Sequence, residues 1–161
     1  STALGAKTSG GTGNAFGTNT IQSIFLEDII NAKNAYNSTI TQVISAEELL
    51  AIDPDIIMLS TWGGYHPPRE MYENEWFKQV QDLRALKEKR VHSLPANGYM
   101  EERLEFPISL MVEAKAIYPD RFKDINLEEW IKNYFMELYG VDDKKANELM
   151  DSLLLRYLEI I

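Results

Sequence analysis

The sequence predicts an α/β protein, a layered Rossmann-like lobe with a mainly parallel sheet flanked by helices. Three observations predict it. Short apolar runs alternate with amphipathic stretches through the first two-thirds of the chain. One of these runs, Ile56-Ile57-Met58-Leu59 between Asp55 and Ser60, is apolar without alternation, as in a strand covered on both faces. The last third shows helical spacing only.

Taken in order, Ser1 to Leu4 reads as the remnant of a first strand, which points to a fragment of a larger protein. Residues 5–19 form a loop holding Gly5, Gly10, Gly11, Gly13 and Gly17. A helix follows with Ile21, Ile24, Phe25 and Ile29 on one face, capped by Thr18 or Thr20. A polar stretch from Asn31 to Thr41 leads to the β-type run Gln42-Val43-Ile44. Ser45-Ala46-Glu47-Glu48 has the capping-box pattern, with Ser45 as N-cap and Glu48 reaching back to it. That short helix ends before Pro54. After the buried strand comes the loop Ser60 to Arg69. A helical stretch over about 72–88 carries Trp76, Phe77, Val80 and Leu83, and Arg90 to Leu94 forms another strand. Pro107 suits the first turn of a helix whose inner face is Leu110, Met111, Ala114, Ile117 and Tyr118. Asn126 caps the next helix and Gly140 ends it; its stripe includes Leu127, Trp130, Ile131 and Phe135. An amphipathic helix over 142–158 closes a single domain spanning 1–161.

Composition narrows the function. A formal net charge of −9 argues against nucleic-acid partners, which need a basic face. The same charge argues against an anionic membrane surface, and no apolar run is long enough for membrane insertion. Cysteine is absent, so disulfides and thiolate metal sites are excluded. No basic or apolar leader follows Ser1, so any targeting signal is expected to be removed or to lie upstream.

Three stretches resemble one family. Val43 to Leu59 looks like its strand, then Ser-x-Glu-x-Leu, then Asn/Asp-Pro-Asp and a buried strand. Trp76 to Leu94 is similar to its following helix and "Ala-x-Lys-x-x-x-Val-Tyr" strand. Ala114 to Phe122, with Tyr139-Gly140 beyond, resembles its closing helices. The family is the periplasmic iron-siderophore, haem and cobalamin-type binding proteins of ABC importers. The resemblance covers roughly residues 5–140 and only the C-terminal half of a member. It implies one lobe of a bilobal, extracytoplasmic binding protein without a cofactor, which closes on a metal chelate and docks on an ABC transporter permease. The cargo implied first is a ferric siderophore; haem, a corrinoid or an oxyanion such as molybdate stay open. In the family an acidic residue of the Ser-x-Glu element pairs with permease arginines, a role that falls on Glu47; a solvated first-turn glutamate is the equal alternative.

Cargo in such a layer is expected beyond the carboxyl ends of the strands. Three loops qualify. The first, residues 10–19, presents Asn14 and Phe16 and leads into a helix N-terminus suited to an anion or oxygen-rich chelate. Some siderophore binders carry an arginine near the position of Ala15, so a strongly anionic catecholate is disfavoured. The second offers Trp62 and Tyr65 for stacking, His66 for coordination or hydrogen bonding, and Arg69 for an acid group. The third offers Tyr99 and Arg103, with Glu101 and Glu102 as local partners for Arg103. His66 and His92 are the only histidines and are placed at opposite ends of the sheet, which disfavours a two-histidine metal site.

Catalytic inventories are not met: neither Gly-x-Ser-x-Gly nor His-Glu-x-x-His occurs, and no Gly-Lys-Ser/Thr follows a glycine loop. Two other classes remain open. Gly11-x-Gly13-x-x-x-Gly17 misses the dinucleotide fingerprint by one residue, leaving a Rossmann-like nucleotide- or cofactor-using enzyme domain. A stand-alone interaction module is the other.

Overall fold

In the computed structural model, the described residues are 13–60, 65–95, 104–153 and 155, together with the backbone of 2–5. A five-stranded sheet has the order β3-β2-β1-β4-β5, with β1 at Thr2–Gly5, β2 at Asn14–Ala15, β3 at Gln42–Val43, β4 at Ile57–Leu59 and β5 at Val91–Ser93. Strand β1 pairs parallel with β4, and β4 with β5. Strand β2 is antiparallel to both β1 and β3. Strands β1, β3, β4 and β5 therefore run one way and β2 alone runs against them, so the sheet is mainly parallel as expected. The strand expected at Ser1 to Leu4 is present at Thr2–Gly5 and is central.

Helices form the outer layers. On one face Ile57, Leu59 and Val91 pack with Leu49 of α2 (Ala46–Ile52), with Val80 of a 3-10 turn (Glu75–Val80), and with Leu86 of α4 (Arg84–Lys87). On the other face Ile56, Met58 and Leu94 meet Ala116 of α5 (Phe106–Ile117). This split follows from the pleat, which sends successive residues of β4 to opposite faces. A third cluster joins α5 to α6 (Leu127–Tyr139) and α7 (Asp143–Ser152) around Ile108, Val112, Ile131, Phe135, Ala146 and Met150.

Local chemistry sets the boundaries. The capping box forms as expected: Ser45 Oγ accepts from Glu48 N–H at 3.1 Å, and Glu48 Oε2 accepts from Ser45 N–H at 2.9 Å. Asp53 ends α2 in the left-handed region, with φ 42°. Its carboxylate accepts from Arg84 N–H and Nε, its carbonyl from Nη2, and Asp55 from Nη1 at 2.5 Å. One fork thus fastens the start of α4 to both acids flanking Pro54. Asn126 caps α6, and Gly140 ends it at φ 63°.

Four expectations are corrected. The helix expected over 72–88 is three pieces: α3 (Glu70–Glu73), the 3-10 turn, and α4. Asn74 breaks it by taking an extended conformation and capturing Trp76 N–H, which leaves Trp76 55% exposed. The helix after the glycine loop is four residues, α1 (Ile21–Ile24), running into a π-helical turn (Phe25–Ile29). Its expected inner face is partly turned out: Ile21, Ile24 and Ile29 are exposed, while Ser23, Leu26 and Ile30 are buried. Helix α5 is rotated from its expected inner face; Ile108, Val112 and Ala116 are its buried positions. Helix α7 ends at Ser152 among the described residues, and 154 and 156–158 of the expected 142–158 helix lie outside them.

Candidate binding edge at the strand carboxyl ends

The parallel registers place Leu4, Leu59 and Ser93 side by side, with Leu94 N–H donating to Leu59 O at 2.9 Å. Gly5 faces Asn14, and Asn14 faces Val43. The chain therefore leaves β1, β4 and β5 at a single edge, and the Ser45 cap of α2 starts from that edge too. The three expected loops thus depart from one edge. Their central parts, with Trp62, Tyr99 and Arg103, as well as Glu101 and Glu102, lie outside the described residues.

Asn14 sits in β2, half-buried, where the sequence reading placed only loop. A two-residue strand, here paired on both sides, is too short to show alternation, so nothing in the sequence marked it. Phe16 is expected to touch cargo but is 5% exposed, an inward-packed residue that anchors the segment by its backbone. Its carbonyl accepts from Asn34 Nδ2 at 2.8 Å, and the same amide donates to Ser23 Oγ at 2.7 Å. Asn34 Oδ1 accepts from Tyr36 N–H at 3.0 Å. Asn34 is 3% exposed, so this amide is a fully used buried bracket holding the first loop's outgoing limb. Sequence reasoning missed it, because a buried Asn inside a polar stretch looks like any loop residue.

The helix N-terminus expected after that loop as an anion seat is capped from within the chain. Helix α1 is one turn, and Thr20 Oγ1 itself accepts from Ser23 N–H. Gly17 is required by contact: a Cβ there would stand 2.6–2.7 Å from the Ile40 backbone. Its carbonyl accepts from Thr20 and Ser23 hydroxyls, both at 2.8 Å. Gly13 is followed by a strand, so the near-miss glycine pattern is not the strand-to-helix turn a dinucleotide site needs.

In the second loop Tyr65 and His66 are half-buried and Arg69 is exposed beside α3. His66 Nδ1 lies 2.9 Å from Glu70 Oε2. Its Nε2 is buried without a partner among the described residues, as is Ser60 Oγ. Ser93 Oγ donates to the His66 carbonyl, which pins this loop onto the end of β5. The His66 backbone therefore lies against the carboxyl end of β5, the strand that holds His92, and not at the opposite end of the sheet as expected, although Ser93 and His92 point to opposite faces. His92 is buried, and desolvation, with a smaller contribution from Arg90, holds its imidazole below the usual value. Among the described residues no three His, Cys, Asp or Glu side chains gather as a metal cluster. Glu47 is exposed in the first turn of α2, one residue from the capping glutamate.

No protein-family model matches the chain. Molybdate-binding protein MolA of Haemophilus influenzae is 29% identical over 109 residues, which are 65% of this chain and 29% of MolA. Among solved structures, a periplasmic solute-binding protein from Veillonella parvula superposes with a TM-score of 0.71 at 23% identity, covering 88% of this chain and 43% of that one. CeuE of Helicobacter pylori with Ni(II) bound gives 0.71 at 20% identity, covering 92% and 47%. The chain thus spans less than half the length of each of these three proteins. Its architecture is that of part of a periplasmic solute-binding protein.

Proposed function

We propose that the chain is the C-terminal lobe of an extracytoplasmic solute-binding protein of an ABC importer. In this reading the described edge is half of a cleft. The partner lobe supplies the other half, and closure is a population shift driven by contacts the solute makes only in the closed state. The observation that carries the reading is the convergence of the connections after β1, β4 and β5 on one edge. Fixed loop limbs support it: Asn34 braces the first and Ser93 the second. The role is capture and delivery, not catalysis.

The solute is a metal chelate or metal oxyanion. A ferric siderophore, haem or a corrinoid would use the aromatic side chains Trp62, Tyr65 and Tyr99 as stacking platforms. Asn14, His66 and Arg103 would supply polar contacts. A molybdate-sized anion would need these polar groups alone. Glu47 is proposed to meet arginines of the permease, since it is an exposed acid at the same edge.

Calorimetric titration of the full-length protein with ferric siderophores, haemin, cobalamin, molybdate and Ni(II) tests the reading. One of these is expected to bind saturably, and the 161-residue chain is expected to bind it much more weakly. Trp62→Ala is expected to cost about 1–3 kcal/mol of that affinity if the cargo is a stacked chelate. An unchanged affinity removes Trp62 from the site. Glu47→Arg should leave affinity intact and reduce permease binding or uptake; normal uptake would end the docking role.

A further inference from the structure

The run His66-Pro67-Pro68-Arg69-Glu70 is stiff for local reasons. A residue before proline is held to extended backbone, and each proline fixes its own φ. Both prolines are buried. Glu70 N–H donates to Pro67 O at 3.0 Å and Met71 N–H to Pro68 O at 3.1 Å, which turns the chain into α3, and Met71 is fully buried. The turn brings the Glu70 carboxylate back to the His66 ring, with Oε2 2.9 Å from Nδ1. The His66 carbonyl meanwhile takes the Ser93 hydroxyl at the carboxyl end of β5. Backbone and ring of His66 are thus fixed separately, at the edge where the chain leaves β4 and β5.

Such a pair has a chemical direction. A carboxylate only accepts, so the hydrogen of the neutral ring lies on Nδ1 and Nε2 keeps its lone pair. That nitrogen is buried and meets no partner among the described residues. A buried nitrogen left unmatched calls for a partner from elsewhere. Carboxylate, imidazole and a vacant ring nitrogen in line are the arrangement by which an outer carboxylate orients a histidine toward a metal. The same arrangement suits an oxyanion poorly. Its oxygens are acceptors, and they would meet another acceptor with a carboxylate behind it.

We infer that Glu70 is a positioning residue, holding His66 as a lone-pair donor to the solute, and that it selects a metal centre with an exchangeable coordination position over an oxyanion. The inference rests on the capture reading above and narrows its cargo. It sets this chain apart from MolA, which is named for molybdate. Glu70 acts through His66 and does not touch the solute. A first-turn acid also favours the start of a helix, a purely structural role, and Glu73 shares that turn of α3.

Nitrogen-15 spectra of the histidine rings test the geometry in the 161-residue chain with no solute added. The chain has two histidines, and His92→Gln assigns them. At neutral pH the His66 ring is expected to carry its hydrogen on Nδ1. Glu70→Gln, whose amide oxygen still accepts from Nδ1, is expected to keep that form, and Glu70→Ala to move the hydrogen toward Nε2. A ring with its hydrogen on Nε2 in the unsubstituted chain overturns the inference.

Calorimetry of the full-length protein reads the selection, with Ni(II) and haemin as metal probes and molybdate as the oxyanion. Glu70→Ala is expected to weaken binding of the metal probe about ten-fold or more, Glu70→Gln to recover most of the loss, and Glu73→Ala to change nothing. Molybdate is expected to lose no affinity in any variant. Equal losses for metal and molybdate, or metal affinity untouched by Glu70→Ala, overturn the positioning role. Saturable molybdate binding with neither metal probe bound overturns the selection and leaves capture standing. A protein that binds no solute ends the capture reading and the selection with it.

Discussion

Helices α5 and α6 are of similar length, yet one disclosed its orientation from sequence and the other did not. In α6 Leu127, Ile131 and Phe135 mark one side with Trp130, Tyr134 and Leu138 beside them, and Glu128, Glu129 and Asn133 lie exposed on the other, so burial follows the stripe. In α5 two stripes compete. The bulkier one, with Leu110 and Met111, is half-exposed, and Ile108 and Val112 take the core. Hydrophobicity alone ranks faces; it does not say which partner each face meets.

The largest expected effect sharpens that contrast. Phe135→Ala, at a fully buried site between α6, α5 and α7, should destabilise the chain by about 3–5 kcal/mol. Ile108→Ala should cost about 2–5 kcal/mol. Leu110→Ala on the outward stripe should cost under about 1 kcal/mol in the same urea titration of the 161-residue chain. Equal losses at 108 and 110 would break the assignment of faces.

Acid should separate the two regions as well. His92 shares a face of the sheet with Met58 and Leu94, on which α5 rests, and its folded pKa lies below the ordinary value near 6.5. As pH falls below that value the unfolded chain takes up a proton the folded chain refuses, so stability declines. Asp143, held below the usual 3.8 by Lys132, contributes stability above that pH and loses it only as pH drops through its depressed folded value. The thermal midpoint is therefore expected to fall in two steps, the first between about pH 7 and 5 and the second below about 4. His92→Gln should remove the first step alone; a variant that keeps it would place the proton elsewhere.

How much was legible from sequence depended on how local the determinant is. Ser45 with Glu48, Asn126 and Gly140 act within one turn, and the structure carries each of them out. The all-apolar run before Ser60 announced a strand covered on both faces, and its neighbours share it. Strand β2 was hidden because its two residues pair only with distant segments, at Gly5 and Val43. The break at Asn74 was hidden because an amide side chain outbids helix propagation without changing the apolar spacing. For the site, the edge was legible through strand direction. The inward turn of Phe16, the Asn34 bracket and the meeting of His66 with the end of β5 were not, since each is a contact across 18 or more positions.

The Arg84 fork lies at the end of β4 away from the cleft edge, and its partners Asp53 and Asp55 flank the entry to that strand. Its four bonds to Asp53 and Asp55 hold the start of α4 and the entry to β4 together at the root of the layer. Length and composition at the rim are then free to drift while the base stays put. A base fixed in this way tolerates exchange of side chains at the rim without loss of the layer beneath it.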